Sequence, residues 1–484
     1  MKKKKLVLFL FLMIGVLSLI FTYKFKQNNL NKNKPVKEEK LSIMIKEDGA
    51  TDYTKSSSKE IPKGDYVLNE EKSYCKNNGK IEGYDSTTGT VSFAFIGTDK
   101  CFLYFDYYIP PRNAYDAILL DNSNGATTVD EAKSYIGGRG TPTFTQVETT
   151  NEGMYATEDN QGTSYYFRGA VDNNWVKFGK YINDFIVYRG YYSSTSSFYK
   201  DYTSLETCTS ASSYNVNCTE VNIAKENADL YWRIVRINGD GSIRLIYTGT
   251  IAPAESEKSV MTGEGTQIGI TQFNSSASRP EHVGYKYEVG KQHGQLTDSI
   301  IKEMLEIWYI KTTLNSDLVS DNTFCNDRTA STSGDAGTYG EMSEWSSSSF
   351  RFFGSLERLN NTPSLKCPNE LDRFSVNNDY GNGQLNYPVG LITTDEVKFA
   401  GGGSVSNIKY YLYTGQSYWT GSPNSWHRFN THDVIAREYS VLSTGLIDQV
   451  GVIGVNGVRP VISISKDAKL SGDGTWNNPY VVEN

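Results

Sequence analysis

Tyr231-Trp232-Arg233-Ile234-Val235-Arg236-Ile237-Asn238-Gly239-Asp240-Gly241-Ser242-Ile243-Arg244-Leu245-Ile246-Tyr247 is the stretch from which the fold is read. Its two halves alternate apolar and polar residues, the period of a strand with one covered face. Between them, Asn-Gly and Asp-Gly tolerate the positive φ that a tight turn requires. The segment therefore predicts an antiparallel hairpin. The same Asp-rich turn lacks the full ligand set and the distal Glu of a calcium loop.

Upstream, Ser164-Tyr165-Tyr166-Phe167-Arg168-Gly169 and Asn174-Trp175-Val176-Lys177-Phe178 read as a further strand pair. Downstream, Ile300, Ile301, Met304, Leu305 and Trp308 fall on one face of a helix expected over about 298–312. A second helix is expected from Thr393 or Thr394 to Gly401, with Asp395 and Glu396 in its first turn. Val458-Arg459-Pro460-Val461-Ile462-Ser463-Ile464 reads as a late strand with its proline at or near an edge. The expected class is α+β: a small β module, then a larger mixed α/β domain.

The N-terminus reads differently. Four lysines precede an uncharged run from Leu6 to Tyr23, which as a helix would span roughly 27 Å, about one bilayer core. It reads as a signal peptide or a signal anchor, and the lack of small residues after it favours the anchor, with the C-terminal part outside. Residues 24–65, rich in Lys, Asn, Ser and Glu, read as a stalk. A β module over 66–112 follows, carrying Thr90–Phe95 and Cys101–Phe105. Residues 113–152 read as a connecting segment with a short helix, Thr128 and Glu131 forming its capping box. The large module is expected over 153–484.

The chain has 484 residues, 34 of them Tyr, and a net charge of −7. Residues 1–48 carry 11 Lys against 4 Asp/Glu (+7), so the remainder, with 37 Lys/Arg against 51 Asp/Glu, carries −14. An acidic globular part argues against nucleic acid as a partner; the expected partners are the membrane, through residues 6–23, and a glycan or protein ligand. The six cysteines, Cys75, Cys101, Cys208, Cys218, Cys325 and Cys367, form no Cys-x-x-Cys or Cys/His zinc pattern. Sequential pairing is the simplest connectivity, and disulfides accord with export.

No nucleophile elbow, Walker A loop or dinucleotide fingerprint occurs, and no cofactor or metal is expected. Of the four histidines, His427 and His432 stand near Trp426, Arg428 and Asp433, but a five-residue spacing does not put both on one helix face. The aromatic segment from Ile408 to Phe429 is the candidate binding region. Tyr and Trp there offer flat faces with polar tips, suited to sugars or partner proteins. Trp419 reads as core; Tyr413, Trp426, His427, Arg428 and His432 are the candidate ligand residues.

Gly390-Leu391-Ile392-Thr393-Thr394-Asp395-Glu396-Val397, Tyr418-Trp419-Thr420-Gly421-Ser422-Pro423 and Gly457-Val458-Arg459-Pro460-Val461-Ile462, in that order, resemble a family of uncharacterised surface proteins of Firmicutes and Mollicutes-like gut bacteria. Residues 231–247, Trp308-Tyr309, Phe324-Cys325-Asn326-Asp327-Arg328 and the module with Cys75 and Cys101 fit the same pattern, over about 66–484. The family has no established activity. More distantly, 225–484 is similar to formylglycine-generating-enzyme-like domains of C-type-lectin-like fold. That similarity implies a twisted sheet with long ligand-binding loops. Enzymes of that group use late cysteines, and none follows Cys367 here, so it implies binding rather than catalysis. The expected function is thus non-catalytic recognition at the cell surface; an exported hydrolase and a structural envelope component are the alternatives.

Overall fold

The computed structural model describes residues 40–47, 50–58, 60–95, 99–108, 111–314, 317–332, 349–428 and 434–483. Of these, 37% lie in strands and 15% in helices. This corrects the α+β expectation, and with it the C-type-lectin-like reading: the protein is mostly β. The expected helices form, but they are short, for instance Ile300–Tyr309, Thr394–Ala400 and Val129–Gly138. Among the described residues no helix is long and apolar enough to cross a membrane. The run 6–23 lies outside the described residues.

The chain divides into two units, Met1–Ile109 and Pro110–Asn484. In the first, strand Cys101–Tyr107 is the hub of a five-stranded sheet. Strand Leu41–Lys46 pairs with it in parallel, from Leu41 opposite Cys101 to Lys46 opposite Asp106. Ile43, Leu103 and Phe105 make the core, and Cys75–Cys101 staples it. The stalk expected through residue 65 is therefore corrected from residue 41 onward. Leu41, Ile43 and Ile45 alternate as a strand does, but the run is brief and charge-flanked, so composition hid it.

The second unit is organised by the quoted hairpin. Asp229–Ile237 and Ile243–Gly249 pair antiparallel, and Gly241, at φ +90°, supplies the turn. They sit inside a nine-stranded sheet. Val461–Ile464 flanks one side; Trp175–Lys180 and Thr163–Gly169 flank the other. Tyr480–Glu483 runs parallel to Trp175–Lys180 and pairs also with Lys469–Ser471. Arg112–Asn113 joins the same sheet, and the helices Ala114–Asp121 and Val129–Gly138 bury Ala117, Ile118, Leu119 and Ile136 in the same core. The large unit therefore begins near 110, not 153. Helix Ile300–Tyr309 packs where its apolar stripe predicts: Trp308 meets Trp232 and Tyr247 edge-on, at 6.2 and 5.7 Å.

The hairpin departs from its reading in one respect. Alternation predicts a dry face and a wet one, yet Arg233, Arg236 and Arg244 are all buried. Arg233 donates to Asn174 Oδ1 (2.6 Å) and to the carbonyl of Val171 (2.7 Å), and lies over the Trp175 ring. The polar stripe of this strand faces protein.

A second, six-stranded sheet centres on Tyr418–Arg428. A three-stranded sheet of Phe185–Tyr191, Tyr199–Tyr202 and Val216–Ala224 forms an appendage rooted in the same core through Phe185, Val187 and Ala224. The bridges Cys208–Cys218 and Cys325–Cys367 complete the sequential pairing.

Candidate functional site

The region expected to bind is largely interior. Tyr418–Arg428 is a strand with partners on both sides: Trp426 faces Arg351 across one ladder and Ala436 across the other. Trp426 is fully buried and His427 is 5% exposed, which corrects the expectation that they lie on an open loop. The strand takes up Pro423 through register shifts between Trp419 and Ser425, where a missing N–H is tolerated. Tyr413 is half-buried and donates its hydroxyl to the Ser443 carbonyl at 3.1 Å. The Arg428 side chain and His432 lie outside the described residues. Trp419 is core, as expected.

His427 is held by its surroundings. Burial and the Arg437 guanidinium, whose Nη1 stands 3.1 Å from Nδ1, push its pKa down to about 4. Burial and Arg279 do the same to His282, also to about 4.

Carboxylates do converge elsewhere, as a hydrolase would require. Asp159, Asp327, Asp395 and Glu396 meet Arg236, Arg244 and Arg358 at the start of helix Thr394–Ala400. The groups pair off among themselves. Glu396 Oε1 accepts from Arg236 (3.0 Å) and Arg244 (2.8 Å), and Asp159 takes the other end of Arg236 at 2.7 Å. Glu396 Oε2 accepts from the Thr393 backbone at 2.9 Å, completing the helix cap. Arg358 joins Asp327 (2.8 Å) to Asp395 (3.0 Å). Burial raises Glu396, but Arg244 and Arg236 outweigh it and hold the carboxyl below its ordinary range. Burial dominates at Asp395, which is raised despite Arg358. The space left among these groups is about 30 Å³, room for a water or two. The cluster is a packed ion network with no space for a polymer.

A His–Asp pair is also present, and spacing gave no hint of it. His293 Nδ1 lies 2.8 Å from Asp372 Oδ2. Asn369 Oδ1 accepts from the Leu371 N–H, which turns its amide nitrogen toward His293 Nε2 at 3.2 Å. Nε2 therefore accepts, and Nδ1 carries the proton toward Asp372. Asp372 is fully buried and also takes Arg328 through Nε (2.8 Å) and Nη2 (2.7 Å). Both ring nitrogens are thus engaged within the fold. Among the described residues no group of three or more His, Cys, Asp or Glu could hold a metal.

The open aromatic surface is on the appendage. The hairpin Phe185–Tyr191/Tyr199–Tyr202 closes through Tyr192 N–H to the Phe198 carbonyl at 3.0 Å. A second loop, after helix Leu205–Ser210, is drawn against it by Cys208–Cys218 and by Tyr202, whose hydroxyl donates to the Ser213 carbonyl at 2.8 Å. Gly190 makes the contact possible, since a Cβ there would stand 1.9 Å from the Tyr214 carbonyl oxygen. Tyr192 and Tyr214 meet edge-on at 5.5 Å. Tyr192 is 63% and Phe198 68% exposed. Tyr214 sits at φ +55°, a region costly for a bulky residue and found at ligand clamps. Gly190–Tyr199 and Thr209–Asn217 contain no charged residue. The composition of both loops was legible in the sequence, but their convergence was not.

No protein-family model, curated protein or solved structure matches this chain.

Two outcomes follow from the buried charges. Glu396→Gln leaves two buried guanidinium groups facing a neutral amide and is expected to cost about 3–5 kcal/mol, read from urea unfolding. As for pH, unfolded histidine protonates near 6.5 and folded His282 and His427 only near 4. The unfolded state binds more protons in that window, so this stability is full above pH 6.5 and is lost as pH falls toward 4. The urea midpoint of the wild type should drop more steeply there than that of the His282→Gln/His427→Gln double variant; equal slopes would mean the imidazoles are not held neutral.

Proposed function

We propose that this chain is an exported cell-surface recognition protein that binds a neutral glycan through the appendage tip formed by Tyr192, Phe198 and Tyr214. The observation that carries the reading is the convergence of two uncharged Tyr/Ser/Thr/Asn loops with two aromatic rings left open to solvent. Tyr, Ser and Asn dominate antibody-type binding surfaces for a physical reason: rings supply rigid contact area, and hydroxyls and amides adapt their hydrogen bonds. Sugars present both an apolar C–H face and a rim of hydroxyls, which such a surface matches. An uncharged tip offers nothing to a phosphate backbone. The Cys208–Cys218 bridge and the Gly190 contact hold the loops in place before binding, which lowers the ordering cost. Export is supported by three disulfides and by the lysine-led apolar run over 6–23.

The test is an array of neutral oligosaccharides probed with the purified chain, made under oxidising conditions. Saturable binding is expected, falling roughly tenfold or more in Tyr192→Ala and in Phe198→Ala at unchanged Tm. Trp426→Ala should instead destabilise the fold by about 3–5 kcal/mol. A blank array, or binding undiminished in the Tyr192→Ala/Phe198→Ala double variant, would overturn the glycan reading.

A further inference from the structure

Where the appendage meets the main body of its unit, strand Tyr199–Tyr202, helix Leu205–Ser210, Thr271 and helix Ile300–Tyr309 enclose a cavity of about 190 Å³. Its walls include Tyr202, Ile300 and Met304. Lys200 lines it while only 5% exposed. Its ammonium donates to Gln272 Oε1 at 2.7 Å and lies 4.4 Å from the Tyr202 ring centre. The Gln272 oxygen is aimed by the other end of the same amide, which donates to the Ile453 carbonyl at 2.7 Å.

This lysine is an anomaly. A buried ammonium is normally matched by a carboxylate, because one neutral hydrogen bond does not offset the loss of water. The neighbouring carboxylate, Asp201, is committed elsewhere, to Arg189 at 2.8 Å and to the Ile270 N–H at 3.0 Å. Burial accordingly pushes Lys200 down to about 8. Asp201 lines the cavity too but is held by Arg189; the charged group left to it is Glu303, on an exposed position of helix Ile300–Tyr309. Among the described residues it forms no ion pair either. Burial, with Asp298 adding to it, raises its pKa. One cavity is thus lined by a buried ammonium and a carboxylate that form no ion pair with each other, by the Arg189-paired Asp201, and by the apolar side chains of Tyr202, Ile300 and Met304 among threonines.

We propose that this cavity binds a small zwitterion with an apolar side chain, an α-amino acid of about leucine size, its carboxylate on Lys200 and its ammonium toward Glu303. The volume agrees, since an apolar cavity of roughly 150 Å³ accommodates benzene. Glu303 at the rim disfavours a dianion, and Lys200 disfavours a simple amine. The site is separate from the appendage tip and does not depend on the glycan reading.

The experiment is calorimetric titration of the whole chain with L-leucine at pH 7, beside isocaproate, which lacks the amine, and isoamylamine, which lacks the carboxylate. Leucine should bind saturably at one site, and each analogue roughly tenfold more weakly or worse. Lys200→Met should abolish binding and, having removed an unmatched buried charge, raise the Tm of the ligand-free chain. Glu303→Gln is an exposed change that leaves the fold intact; it should weaken leucine at least roughly tenfold and leave isocaproate unchanged. No leucine binding at millimolar concentration, leucine binding that survives both substitutions, or isocaproate binding as tightly as leucine would each overturn the proposal.

Discussion

The structure of the large unit turns on one carboxylate. Glu396 caps its own helix through Oε2 and with Oε1 takes both Arg236 and Arg244. Those arginines belong to the two strands of the central hairpin, so a single side chain fixes the distance between helix and sheet. Asp159 extends the link, taking Arg236 at 2.7 Å and the backbone N–H of Gly239, in the hairpin turn, at 2.8 Å. None of these charges is tolerable alone away from water, and together they nearly cancel. Helix, hairpin and the segment around Asp159 are therefore acceptable only as a set. This makes the unit cooperative in a way that apolar packing, which degrades gradually, does not.

The same network explains what sequence could and could not reveal. The hairpin turn, the capping box at Thr128, the helix start at Thr393 and the stripe ending at Trp308 are local, and each was legible from spacing; the sequential cysteine pairing was the simplest connectivity, which spacing alone did not decide. The burial of Arg233, Arg236 and Arg244 was not legible, because a polar side chain in a strand pattern does not reveal what covers it. Trp426 failed for the converse reason. Pro423-Asn424 carries a turn signature, but tertiary pairing on both sides absorbed it as an irregular strand. The strand at Leu41–Lys46 was lost among lysines, because its partner lies sixty residues downstream at Cys101–Tyr107. The tip at Tyr192 and Tyr214 required knowing that two loops meet, which depends on a glycine and a disulfide acting together.

Chemistry in this unit is consequently divided by depth. Around Glu396 the interior uses its arginines and carboxylates on one another, leaving little space in the network. The open features collect on the appendage and at its root, where rings face solvent and a lysine lacks a counter-ion. A fold that spends its charges on internal cohesion keeps its surface free to change, and the appendage is the part least constrained by the network around Glu396.

The position of strand Tyr480–Glu483 bears on how the molecule is made. It lies within the nine-stranded sheet, between Trp175–Lys180 and Lys469–Ser471, and the latter in turn holds Arg112–Asn113. Arg112–Asn113 and one edge of Trp175–Lys180 therefore wait for partners some three hundred positions later in synthesis, while Thr163–Gly169 and the other edge of Trp175–Lys180 can already pair with Asp229–Ile237. The sheet can thus form in two stages, the hairpin and its near partners first and the closing strands long afterwards.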